Sequence, residues 1–261
     1  MKYIDELKKE AEERKQREAL ETQSKLSTLG QNFMQLQAKL REIYTYLDDL
    51  VKQLNVVKPN VPRSYHLEGL GGLEGLNQKE YALNKTHKSI DNKDFIDTIT
   101  LRFKCAAEGS LSTEKDTPGL IKTMCEHLWD FNIKFNLQEI KNQRGFVDRA
   151  VFKVPREVPV TVAFSGDLEI SKINIEAKNL ERLGENNFSY EIDEVNEHLL
   201  EEFSKLLVGK PNHFRQIGHH QSTARSTPLG KTSILDTQYK IEQDPEVKKG
   251  LLGSIKNKFF S

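Results

Sequence analysis

A heptad repeat runs without interruption through the amino-terminal part of the chain. Its apolar residues recur at alternating steps of three and four, so positions a and d of every heptad are apolar. Apolar residues with a strict 3.5-residue period drift around a straight helix. They stay on one side only when two or more helices supercoil around each other. The pattern therefore predicts a long helix over residues 1–58 that self-associates through a coiled-coil seam: Leu26, Leu29, Phe33, Leu36, Leu40, Ile43, Leu47, Leu50, Leu54 and Val57.

A second interpretation of the same seam is that the helix lies on the chain's own globular part. Pro59 and Pro62 end the helix under either interpretation. Tyr44, Tyr46 and Val51 flank the seam and widen its apolar face. The strand number and orientation of a coiled coil therefore stay open.

Residues 59–94 are rich in proline and glycine. The tetrapeptide Leu-Glu-Gly-Leu occurs at Leu67 and again at Leu73, with Gly71 and Gly72 between the two copies. Glycine gives the backbone unusual freedom, which suits a joint between two ordered parts. We predict a hinge over this range.

From Phe95 the apolar period changes to two, as in strands with one buried face. Thr117 and Pro118 are typical of a helix start, and Asp193 and Gly209 of the two ends of a second helix. The order is strand, helix, five strands, helix, with strands near 95–105, 131–137, 150–154, 158–164, 168–175 and 188–192. This predicts an α+β domain over 95–209, an antiparallel sheet of about six strands covered by two helices.

The arrangement resembles, at the level of fold only, helix-grip and cystatin-like sheets that curl around a long helix. That resemblance implies that an apolar ligand could lie between sheet and helix. Aromatic residues on buried faces are also the ordinary material of a core. The residues that would line such a pocket are Phe103, Trp129, Phe135, Phe152, Phe164 and Tyr190.

The residue types of catalytic and metal sites are poorly placed. Cys125 and His127 are two residues apart on a predicted helix and therefore point in different directions. Cys105 lies on the apolar side of a strand, and His219 and His220 have no cysteine or carboxylate nearby to complete a zinc site. We expect no catalysis, no metal and no cofactor.

The net charge of zero divides unevenly along the chain. Residues 95–209 hold 14 basic and 20 acidic residues, net −6, whereas residues 210–261 hold 9 and 4, net +5. Residues 210–243 have few apolar side chains and are predicted to form a disordered basic linker. Basic flexible segments can bind phosphates, so association with nucleic acid is one alternative for this linker.

Residues 244–261 have the pattern of a short amphipathic helix. Asp244 and Pro245 suit its first two positions. Such a helix docks on an anionic membrane, in a partner's groove or on its own domain. The apolar face comprises Val247, Leu251, Leu252, Ile255 and Phe259, and the surrounding cations are Lys248, Lys249, Lys256 and Lys258.

Composition limits the class of protein. The chain has 261 residues of which 30% are charged, no apolar run approaches a membrane span, and the first twenty residues lack a signal-peptide pattern. Two cysteines make no disulfide framework, which indicates a cytoplasmic protein, with peripheral association at the inner face of the membrane as a variant.

We therefore expect a non-enzymatic, oligomeric interaction protein. Its predicted partners are a second copy through the coiled coil and a membrane surface or partner protein through the terminal helix. The alternatives are a small-molecule or lipid carrier, with its pocket in the 95–209 domain, and a nucleic-acid-associated factor that uses the linker.

Overall fold

The computed structural model describes residues 2–90, 93–168 and 170–217. Within these ranges the chain forms a long helix, a seven-stranded antiparallel sheet and two shorter helices. The α+β class predicted from the sequence is confirmed. The elements are α1 Lys2–Val57, β1 Pro62–Leu67, β2 Gly71–Ile90, β3 Lys93–Lys115, α2 Pro118–Asp130, β4 Asn136–Lys141, β5 Val147–Asp167, β6 Lys172–Lys178, β7 Glu185–Glu191 and α3 Glu197–Leu207, with 3-10 turns at Ile192–Glu194 and Phe214–Gln216.

The strand order in the sheet is β1-β2-β3-β5-β6-β7, and β4 pairs with β5. Strands β3 and β5 form the centre, because they pair from Thr98 opposite Ser165 to Lys115 opposite Ala150. On its other side, β5 pairs first with β4 and then with β6. The short links between strands thus produce antiparallel neighbours.

The predicted hinge is not a hinge in the structure, because residues 62–67 and 71–90 are the first two strands of the sheet. Gly69 and Gly71 both have positive φ and supply the tight turn between them. The repeated leucines serve the core, since Leu67, Leu73 and Leu76 are fully buried. The glycines therefore shape a hairpin rather than a flexible joint.

Strand β5 replaces two shorter strands that the sequence predicts around 150–154 and 158–164. The two predicted strands imply a turn near Pro155. No turn forms there, and the ladder instead has an irregularity in the partner strand β3. Ala106 faces Glu157 and Ser110 faces Pro155, so residues 107–109 of β3 lie opposite the single residue Arg156, an excess of two residues in β3. A strand tolerates proline beside such an irregularity, where a ladder donor is not needed.

The core lies on one side of the sheet, under all three helices. Helix α2 lies on the first part of β5 and buries Ile121, Met124, Cys125 and Leu128. Its predicted cap is confirmed, since the Thr117 hydroxyl accepts a hydrogen bond from the Leu120 amide. The predicted strand at 131–137 is shorter and later, because only Asn136–Lys141 pairs with β5.

The end of the folded module differs from the prediction at two places. Helix α3 begins at Glu197 under an Asn196 cap, and Asp193 lies in the preceding 3-10 turn. After α3, residues 210–217 return to the sheet, and Phe214 is fully buried. The first part of the predicted linker therefore belongs to the folded module and contributes Phe214 to its core. The rest of the linker and the predicted helix 244–261 lie outside the described residues.

Candidate functional site

Helix α1 has two halves with different surroundings. The side chains of Leu36, Leu40, Ile43, Leu47, Val51 and Leu54 are buried against the chain's own sheet. Gly166 of β5 allows a close approach, because a Cβ there would lie 3.3 Å from the Leu36 side chain. We call Phe33–Leu54 the docked half of α1. In this half the heptad repeat packs on the chain's own globular part, as the second interpretation predicts.

The remaining seam residues lie at the edges of the contact. Leu50 is partly buried, and the Phe33 ring meets Phe95 of β3 with centroids 4.6 Å apart. Leu29 is 39% exposed and Val57 68% exposed, whereas the side chain of Leu26 is outside the description. Along the docked half α1 faces the sheet and not another helix, so these positions would have to leave the sheet to form a coiled coil.

Two amide side chains fix where α1 lies on the sheet. Gln37 donates to the Ile96 carbonyl (2.8 Å) and accepts from the Ile96 amide (2.9 Å). Asn55 does the same with Tyr81 (2.8 and 3.3 Å). Tyr81 lies within a register shift of the β2–β3 ladder and has no partner residue in β3, and Ile96 lies beside a second shift. The two side chains are 18 residues apart, which is about five helical turns, so both lie on the same side of α1.

A hydrogen-bond network continues from this contact to α3. The Tyr81 hydroxyl donates to Gln78 Oε1 (2.8 Å), and Gln78 Nε2 donates to the Leu207 carbonyl (2.8 Å). Arg63 adds bonds to the last carbonyls of α3, at 3.0 Å for Leu207. Burial raises the pKa of Tyr81 to about 12, so its hydroxyl stays protonated and remains a donor. Side chains of β1 and β2 thereby cap α3.

The amino-terminal half of α1, residues 2–32, is called the arm below. Every described side chain from Tyr3 to Gln31 is exposed, including Leu20 and Leu29. Ion pairs along its surface, Lys9–Glu13 and Arg14–Glu18, are solvated and add little stability. At about 1.5 Å per residue the arm extends roughly 46 Å beyond the docked half.

The six candidate pocket residues do not meet at one place. Trp129, Phe135 and Phe152 form a series of ring contacts with centroids 6.0 and 5.8 Å apart. The other three rings each pack against a different aromatic neighbour. These pairs are Phe103 with Tyr81, Phe164 with Phe203, and Tyr190 with Phe214. The residues are thus distributed through the core.

The two cysteines among the candidate reactive residues are buried in the core, whereas His127 is partly exposed. Cys105 is fully buried with its Sγ 3.3 Å from the Tyr65 hydroxyl, and burial raises the pKa of its thiol. Burial likewise raises the pKa of Cys125 to about 12. Both are therefore thiols near neutral pH, the less nucleophilic form. In the described ranges no three His, Cys, Asp or Glu residues are grouped to hold a metal ion.

The carboxylate of Glu202 on α3 binds the segment that follows this helix, residues 210–217. It accepts hydrogen bonds from Lys205 Nζ (2.7 Å) and from the His213 amide. The bond from Lys205, followed by that from the His213 amide, lowers the pKa of Glu202. Arg215 pairs with Glu181 on the loop before β7. These contacts fix residues 210–217 around the buried Phe214 ring.

We expect the contribution of Glu202 to disappear in acid. Its folded pKa lies below the ordinary value of 4.5, so its stabilisation is complete above that value and is lost as pH falls through the folded pKa. Urea unfolding should show Glu202→Gln less stable than the unmodified protein near neutral pH, with the difference shrinking below about pH 4.

The matched control for this experiment is Glu201→Gln, since Glu201 also pairs with Lys205 but is exposed. Its replacement should have little effect at any pH. A Glu202→Gln difference that is constant across the pH range would contradict a role for the carboxylate charge.

None of the described helices is both long and apolar enough to span a membrane. Comparison with protein-family models, with curated proteins and with solved structures gives no match for this chain.

Proposed function

We propose that this chain is a non-catalytic interaction protein in which the α+β module holds α1 in place and presents its arm for self-association. The observation that carries the proposal is the continuation of α1 for about 31 residues beyond the docked half, with every described side chain from Tyr3 to Gln31 exposed. In proteins most of a helix's stability comes from packing of its apolar face on a neighbouring element, and no described element packs on the arm. A partner helix would supply the missing stabilisation.

The partner we propose is a second copy of the chain. Leu26 and Leu29 continue the seam of the docked half into the arm, and Leu29 is accessible. Two arms that pair along this side would cover the apolar residues of both. Because residues 36–54 are occupied by the sheet, the pairing is confined to the arm and is weaker than a full-length coiled coil.

Sedimentation velocity of the full chain at micromolar concentration tests this proposal. We expect an oligomer that dissociates on dilution and that Leu26→Asp with Leu29→Asp converts to a monomer. The control is Ser24→Asp with Thr28→Asp, which adds the same charge at outward heptad positions and should leave the oligomer intact. A monomer in the unmodified protein would contradict the proposal.

The tail completes the proposed function. We propose that residues 244–261 dock on an anionic membrane surface or a partner protein, since their sequence combines an apolar stripe with four lysines. Pairing of arms would bring two tails together and raise their avidity.

Flotation with anionic and neutral vesicles separates these possibilities for the tail. The shortened chain for this test ends at Ile217, because Phe214 belongs to the core and has to be kept. We expect only the full chain to float, and only with anionic vesicles. Equal flotation of both chains would show that the tail is not the membrane anchor.

A further inference from the structure

One edge of the sheet is open along the outer part of β2. Strand β1 pairs with β2 only between Gly71 and Asn77, and Asn55 of α1 satisfies the backbone of Tyr81. From Ala82 to Ser89, β2 pairs with β3 on one side, and no described element pairs with its other side. We call this stretch the β2 edge.

The β2 edge is accessible as well as unpaired. Seven of its eight side chains are exposed, and only Leu83 is partly covered. On an edge strand, the outward amides and carbonyls form a row to which another extended chain can bond. The structure therefore provides a site where a further strand could be added to the sheet.

The positive charge of the β2 edge indicates which kind of added strand would bind there. It carries Lys85, His87 and Lys88 and has no acidic residue between Tyr81 and Ser89. The Lys85 ammonium lies 3.9 Å from the centroid of the Tyr44 ring, so α1 restricts its position. Lysines on an edge discourage pairing with a like edge, which disfavours a second copy of β2 and favours an acidic strand.

We propose that the β2 edge binds an extended acidic peptide segment of a partner protein as an additional strand of the sheet. Backbone bonds along Ala82–Ser89 supply the pairing, and Lys85 and Lys88 supply the preference for acidic side chains. This surface is separate from the arm, so the inference does not depend on self-association.

The test uses the full chain and three labelled probes at low salt. One probe is a peptide of Thr-Glu repeated four times, and the second has the same number of glutamates with proline in place of alternate threonines. The third is a thymidine octanucleotide. Fluorescence anisotropy gives the affinities, and hydrogen exchange reports protection of the amides at 82–89.

We expect the Thr-Glu peptide to bind and to slow exchange at 82–89. The proline peptide should bind at least about tenfold more weakly, because proline has no backbone N–H to donate to the neighbouring strand. The double variant Lys85→Glu with Lys88→Glu should bind the Thr-Glu peptide about tenfold or more weakly than the unmodified protein does. The matched control, Lys141→Glu with Lys153→Glu, changes two exposed lysines on β4 and β5 and should have little effect.

Three results would overturn the inference. Equal affinity for the proline peptide or the octanucleotide would identify a general cationic surface. Unchanged exchange at 82–89 on binding would place the peptide elsewhere. Full protection of 82–89 in the free protein would show that the chain covers this edge itself.

Discussion

We expect that replacing Phe214 with alanine lowers the free energy of unfolding by about 3–5 kcal/mol, the cost of removing a fully buried aromatic ring. The ring packs against Phe188, Tyr190 and Phe203, with centroids 5.2 to 5.5 Å away. The Tyr190 hydroxyl also donates to the Phe214 carbonyl at 2.9 Å, so the cavity forms where the backbone is held in place. The neighbouring rings have little freedom to fill it.

Phe146→Ala is the matched control, because Phe146 is 69% exposed and makes the same chemical change on the surface. We expect its effect to be within about 0.5 kcal/mol. Urea unfolding followed by the fluorescence of Trp129 measures both variants. If the two substitutions had equally small effects, residues 210–217 would not belong to the folded module.

Leu47→Ala should lower the free energy of unfolding by about 2–5 kcal/mol. Leu47 is fully buried in the middle of the docked half of α1, where Ile43 and Val51 lie on either side of it. Because this contact lies within one chain, the loss should be the same at every protein concentration.

Val57→Ala provides the comparison within the same heptad repeat. Val57 is 68% exposed, and its truncation should cost less than about 0.5 kcal/mol. In a coiled coil through the whole seam, Val57 would be buried as Leu47 is, and its truncation would lower the free energy of unfolding by a comparable amount. That outcome would show that α1 leaves the sheet in solution.

The heptad repeat shows why the sequence predicted the helix but not its partner. A helix that lies on a sheet needs an apolar stripe with the same spacing as a helix in a coiled coil. Leu40 and Leu47 would be buried in either case. Gln37 carried the distinguishing signal, because it is buried beside the apolar stripe and a buried amide needs specific partners.

Strand β7 and the first half of β3 were predictable because one face of each is apolar and the other polar. The strand predicted over 168–175 begins only at Lys172 in the structure, as β6. The outer part of β2 has no such alternation, since nearly all of its side chains are exposed, and it was read as part of a hinge. The continuity of β5 through Pro155 depends on extra residues in β3, including Gly109 with φ of 90°. The sequence around Pro155 does not reveal this, because the partner residues in β3 are about 45 positions away along the chain.

The two amides of α1 also determine where this protein tolerates a change of length. Gln37 and Asn55 reach Ile96 and Tyr81 only while about five whole turns separate them. Inserting or deleting one residue between them rotates one amide by about 100° relative to the other, and one pair of bonds is lost. An insertion or deletion before Phe33 changes the reach of the arm and leaves every contact of the docked half in place.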